Sequence, residues 1–306
     1  MKSQGALVHF SSRARVVETS PNSCCASGQR GRTTGDTTGG KTGAAALSLL
    51  FFLGTFLTIG LLPATPAQAA ETLVLCLEKA DVRPWRTAEG GGLNIELLNR
   101  VAKRLDLGFE YRGMPWKRCL AQLKSNEVSG AIGASFKAER LEIGVYPGGD
   151  KPDVDKRLNF DRYVLIRRRD SAVQWDGKSF KGLDAPIGVQ LGYSIADNLR
   201  AMKVEVDEGS QRANELALKL IAGRISAAAM LDGEAATLIA GDAKLAAQLE
   251  ILHTPLVEKP YFLILSHALH SSKPDLTARI WNTIRDVRNS PDYQKLEHDA
   301  HAGKPK

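Results

Sequence analysis

The chain has 306 residues, 43% of them hydrophobic and 25% charged, which is ordinary globular usage and enough for one large or two modest domains. Its formal net charge of +7 falls to near +3 without residues 1–69, which hold 6 of the 41 Lys and Arg and 2 of the 34 Asp and Glu. That balance gives no case for a nucleic-acid partner, and the one compact basic run, Arg167-Arg168-Arg169, reads as a solvated strand end.

From Met1 to Lys41 the sequence is rich in Ser, Thr, Gly and Arg without apolar periodicity, and Ala44 to Leu62 is uncharged and ends near Pro63 and Ala67-Gln68-Ala69. A positive flank, an apolar run and a small-x-small site predict an export signal cleaved after Ala69. The competing reading is an uncleaved anchor, since the run approaches the roughly 20 residues that span a bilayer. Gly35 to Thr42 fits the phosphate-loop pattern GxxxxGK[ST] letter for letter, but that loop works only between a buried strand and a helix, a context missing here. Cys24 and Cys25 leave with the leader, so Cys76 and Cys119 remain. In an oxidising compartment they can pair, closing a loop worth about 4 kcal/mol in the chain-entropy model; two buried free thiols are the alternative.

Short apolar strands then alternate with helices, the pattern of a parallel sheet flanked by helices. Thr72 to Leu77 is a strand, Leu97, Leu98, Val101, Ala102 and Leu105 mark a helical face, and Leu107 to Tyr111 starts the next strand. A helix over Lys117 to Ser125 follows Pro115-Trp116, and Val128 to Ile132 is a strand, completing one α/β lobe. Ser135 and Arg140 come directly after it. A guanidinium offers a planar fork of donors that matches both oxygens of a carboxylate, and the serine hydroxyl can donate to the same ligand.

Tyr163 to Arg167 reads as an extended connection, and a second lobe follows: strand Ile187 to Gln190, turn Gly192-Tyr193-Ser194, helix Ile195 to Met202 and strand Val204 to Val206. A helix striped by Ala213, Leu216, Ala217, Leu220 and Ile221 and a strand over Ala227 to Leu231 complete it. Ser194 with Asp197 three residues on resembles a capping box, whose free amides also favour an anion. Asp232 precedes a helix. The chain is extended again from Ile251 through Leu265 and closes on an amphipathic helix carrying Leu276, Ile280, Ile284 and Val287, with Pro274 in its first turn. That helix has no lobe of its own unless it returns to the first, which implies two extended crossings. His298 and His301 stand three apart in a polar terminal segment and read as chance rather than as metal ligands.

In this order the segments resemble the periplasmic solute-binding proteins of family 3, the amino-acid-binding class of ABC-transporter substrate-binding proteins, over Glu71 to Leu296. Gly92 to Leu105 resembles the family's first helix, Pro115-Trp116 its aromatic corner and Ser135 to Arg140 its carboxylate clamp. Ile187 to Ser194 resembles the opening of its second lobe, and Gly223 to Asp232 its acidic strand end. The resemblance implies a periplasmic-binding-protein-like α/β fold: residues 1–69 as leader and signal peptide, 70–165 as the first part of lobe 1, 166–256 as lobe 2, and 257–306 as the return to lobe 1.

It also implies a site. Arg140 would bind the ligand α-carboxylate, assisted by Ser135 and Ser194, and Asp232 would face the ammonium. Glu78 would reach a polar ligand group, with Trp85 and Trp116 as aromatic walls. Tyr193 replaces the usual small hydroxyl residue and either narrows the lobe 2 face of the site or stacks there, Asn94 replaces a common aspartate, and the spacing from Gly223 to Asp232 is one residue longer than usual. The expected molecule is a periplasmic monomer without metal or cofactor. It would bind an amino acid or small carboxylate by hinge closure and present it to an inner-membrane permease complex or a sensor. The alternatives are a ligand-sensing receptor domain without transport, or a dehydratase-like enzyme on the same fold, for which turnover of prephenate and similar acids is the discriminating test.

Overall fold

A computed structural model describes residues 71–302. The expected leader, the apolar run and the phosphate-loop lookalike lie outside the described residues. Lobe 1 begins with β1 (Glu71–Glu78), α1 (Leu93–Leu105), β2 (Leu107–Met114), α2 (Trp116–Lys124) and β3 (Gly130–Ser135). Both β2 and β3 pair parallel with β1, and the helices α1 and α2 supply the crossovers that parallel strands need. α1 buries Leu93, Leu97, Leu98, Val101 and Ala102 along one face. Cys76 of β1 and Cys119 of α2 are joined in a disulfide, with a Cα–Cα distance of 5.6 Å, so the first strand is tied to the helix that covers it.

β4 (Asn159–Arg168) carries the chain out of lobe 1. Its run Tyr163-Val-Leu-Ile166 is apolar without alternation because both faces are buried. Tyr163 and Leu165 join the large core cluster, whereas Val164 and Ile166 join a second cluster with Leu216, Leu220, Ile225 and Met230. Lobe 2 contains a small hairpin of β5 (Gln174–Trp175) and β6 (Phe180–Lys181), then β7 (Ile187–Gln190), α3 (Ile195–Ala201), β8 (Val206–Ser210), α4 (Ala213–Ile221) and β9 (Ala227–Leu231). α5 (Asp232–Ala240) and α6 (Ala243–Gln248) follow.

The return crossing is β10 (Leu249–Leu265), antiparallel to β4 from Leu249↔Arg168 to Tyr261↔Asn159 and then to β3. Its register with β4 breaks between Leu252 and Val257, where Pro255 has no N–H to give the ladder. The chain ends back on lobe 1 with α7 (His267–Ser272), α8 (Pro274–Arg288) and α9 (Pro291–His301). Trp281 of α8 donates its indole N–H to the Leu263 carbonyl at 2.8 Å, and the Tyr293 hydroxyl of α9 donates to Leu93 O at 3.0 Å. Among the described residues, eight strands form one sheet in the order β2-β1-β3-β10-β4-β9-β7-β8. Two α/β lobes therefore flank the two central crossing strands.

Some elements depart from the sequence expectation. β8 starts at Val206 rather than Val204, because the Val204 N–H is taken by Leu199 O at the end of α3. β3 runs over Gly130–Ser135 rather than Val128 to Ile132, after a turn in which Asn126 adopts a φ of 60°. Among the described residues no helix is long and apolar enough to cross a membrane.

Candidate ligand site

The carboxyl ends of β1 and β3 and the start of α2 face the turn before α3 across a cleft floored by the crossing strands. Lobe 1 contributes Glu78, Trp116, Ser135 and Arg140, lobe 2 contributes Tyr193 and Ser194, and the crossings contribute Tyr163 and Tyr261. The lobes are closed on one another, leaving a cavity of about 20 Å³, room for roughly one water.

Arg140 sits in a one-turn 3₁₀ segment, Ala138–Glu142, directly after β3, and is 3% exposed. Neither neighbouring acid engages it: Glu139 pairs with Lys137 and Glu142 with Lys124. Instead the guanidinium donates to Ser135 O at 2.7 Å and, across the cleft, to Gly192 O at 3.0 Å. It lies 5.5 Å from the Trp116 ring centroid, a cation–π contact that orients it.

The Ser135 and Ser194 hydroxyls are hydrogen-bonded to each other at 2.8 Å, so the two lobes touch at the serines named from sequence. Ser194 is not the expected capping residue. Its backbone is already helical, at φ −72° and ψ −10°, and its side chain makes no cap bond to α3. The hydroxyl instead accepts from Lys259 Nζ at 3.0 Å, and Asp197 pairs with Lys137 of lobe 1 at 2.9 Å. Burial, and secondarily the Arg140 charge, press the Lys259 ammonium down to about 8.

Two expected site residues lie elsewhere. Asp232 forms an ion pair with Arg162 at 2.6 Å, and with Trp85 it lines a separate, open groove of about 500 Å³. Asp232 opens α5 directly after β9, and its carboxylate is held by the Arg162 guanidinium of β4. Trp85 packs edge-on against His301 at 5.2 Å, so the rearmost histidine has a packing role. Among the described residues no His, Cys, Asp and Glu group could hold a metal ion.

The structure also brings in residues that sequence reasoning missed. Arg86, one position beyond Trp85, is 7% exposed and lines the cleft beside Gly133. Gly133 has a φ of +81°, and a Cβ there would stand 3.5 Å from Arg86 Nη1. Glu234 in the first turn of α5 is 5% exposed and accepts from Gln190 Nε2 at 2.8 Å. Burial pushes its carboxyl up to about 7, against the pull of Arg86. Glu78 is also raised by burial, although Arg86 and a 2.6 Å bond from the Trp116 N–H oppose the shift.

No protein-family model matches the chain, and no curated protein does. Solved structures match its fold. The GluR0 ligand-binding core from Nostoc punctiforme, solved with L-glutamate, is 17% identical with a TM-score of 0.56, over 74% of this chain and 98% of that one. The substrate-binding protein of an amino acid ABC transporter is 21% identical with a TM-score of 0.58, over 76% and 99%. A histidine kinase sensor domain similar to periplasmic binding proteins is 16% identical with a TM-score of 0.60, over 76% and 96%. The chain has the periplasmic-binding-protein-like fold.

Proposed function

We propose that this chain is a periplasmic solute-binding protein, exported by its cleaved N-terminal signal, that captures a small carboxylate-bearing solute, an amino acid or a relative, and delivers it to an inner-membrane permease complex. The observation that carries this reading is Arg140, a buried guanidinium on one lobe that meets backbone of the other lobe across the cleft. A ligand carboxylate between Arg140, Ser135 and Ser194 exchanges the direct lobe-to-lobe bonds for bonds through itself. Only a ligand that touches both lobes favours the closed arrangement, so binding energy drives the hinge. Glu78 and Trp116 complete the lobe 1 wall and Tyr193 the lobe 2 wall, whereas Trp85 and Asp232 stand outside this assignment.

The lobe limits that go with this reading are 70–165 and 257–306 for lobe 1 and 166–256 for lobe 2. A thermal-shift screen of amino acids and small carboxylates tests it: at least one raises the melting temperature in a concentration-dependent way. Stabilisation by sugars or amines alone, with no acid active, overturns it. A sensing domain without transport is the second reading, supported by the likeness to a kinase sensor domain. Permease and ATPase genes beside this one would favour uptake.

A further inference from the structure

Arg86 has an unusual position for an arginine. It is held in a short turn by reciprocal backbone bonds of 3.0 Å with Val82, which bring its side chain from the loop after β1 into the cleft. Its side chain makes no hydrogen bond or ion pair among the described residues, and its Nε is buried without a partner. Burying an ionised group that nothing contacts is expensive, and a protein normally avoids it by pairing. The nearby acids do not pair with it. Glu78 is occupied by the Trp116 N–H, and Glu234 by Gln190. Together with Asp161 they act through space to keep the guanidinium charged, while burial drives all three toward the neutral acid. Opposite Arg86, the Tyr193 hydroxyl is likewise buried without a hydrogen-bond partner. Arg140 differs, because three of its bonds are already made to Ser135 and Gly192.

We infer that Arg86 is a second anion grip in the same cleft, so that the ligand class is a short diacid, with one carboxylate at Arg140 and the other at Arg86 beside Tyr193. This rests on the solute-binding reading and narrows it. The spacing agrees: Arg86 approaches β3 at Gly133 and Arg140 approaches it at Ser135, two positions apart, and because the ladder is irregular at Gly133 the separation along the strand is at most about 7 Å. Such a span suits glutamate, aspartate or succinate rather than a long diacid.

Calorimetric titration of the purified protein with L-glutamate, succinate and L-glutamine tests the inference, with Arg86→Gln, Arg86→Lys and Arg140→Gln variants. The wild type is expected to prefer glutamate over glutamine by about tenfold or more, the size of one charge-assisted hydrogen bond. Arg86→Gln brings that ratio to near one, Arg86→Lys recovers part of it, and Arg140→Gln weakens all three ligands. A wild type that binds glutamine as well as glutamate, or none of the three, overturns the diacid assignment. So does an Arg86→Gln or Arg86→Lys protein that keeps the full ratio. Solute binding itself falls only if no carboxylate in the wider screen binds, so the two failures are distinguishable.

Discussion

Glu234, with Asp161 one of two carboxyls that burial pushes up to about 7, makes the closed fold sensitive to pH. Its folded value of about 7 lies above the ordinary value of 4.5, so the folded state holds a proton that the unfolded chain releases. Stability therefore falls as pH rises from about 4.5 to about 7 and levels off beyond, the reverse of a salt-bridged acid. Urea unfolding at both ends of that window is expected to show this loss in the wild type and a flatter profile in Glu234→Gln; equal slopes would remove the assignment. At this scale the sequence is partly legible. Ser135 and Arg140 stand out because a guanidinium just past a strand end has few other uses, and Ser194 because it opens a helix. Arg86 does not, since nothing in Arg-Pro-Trp-Arg says which arginine turns inward. Asp232 misleads because it is the acid that directly follows β9, whereas Glu234, two residues into α5, is the one buried beside Arg86.

Among the elements, periodicity locates the lobe strands and helices well, because each has one face or two faces buried in a regular way. The crossings are uneven: the extended reading from Ile251 to Leu265 nearly matches β10, Leu249–Leu265, whereas β4 begins at Asn159, well before the apolar run at Tyr163, and the hairpin β5–β6 is too short to leave a pattern. The bond between Cys76 and Cys119 depends on parallel pairing of β1 with β2, which puts α2 back over β1. Closing its loop, with a sequence separation of 43, corresponds to about 4 kcal/mol in the chain-entropy model. The Cys76→Ala, Cys119→Ala pair is thus expected to lower the melting temperature by about 10 °C, given roughly 2–4 °C per kcal/mol for a domain of this size. An unchanged melting temperature would contradict it.

The whole molecule is organised around the approach of its lobes. Gly233, in the first turn of α5 on lobe 2, packs so tightly on Arg83 of lobe 1 that a Cβ would run into the Arg83 carbonyl. Gly233→Leu is expected to hold the lobes apart, which small-angle scattering would register as a larger radius of gyration than the wild type; an identical radius would show that this contact does not limit closure. Ion pairing of Lys137 with Asp197 and the bonds from Lys259 to Ser194 join the same two bodies near the mouth, so closure is a property of many residues. Capture of the first carboxylate, by contrast, rests chiefly on Arg140. The decisive measurement is calorimetric titration of Arg140→Ala with whichever acid the thermal-shift screen identifies. Affinity should fall by about 3 kcal/mol, roughly a hundredfold, because a desolvated carboxylate loses its charged partner. Wild-type affinity in a folded Arg140→Ala protein would contradict the account.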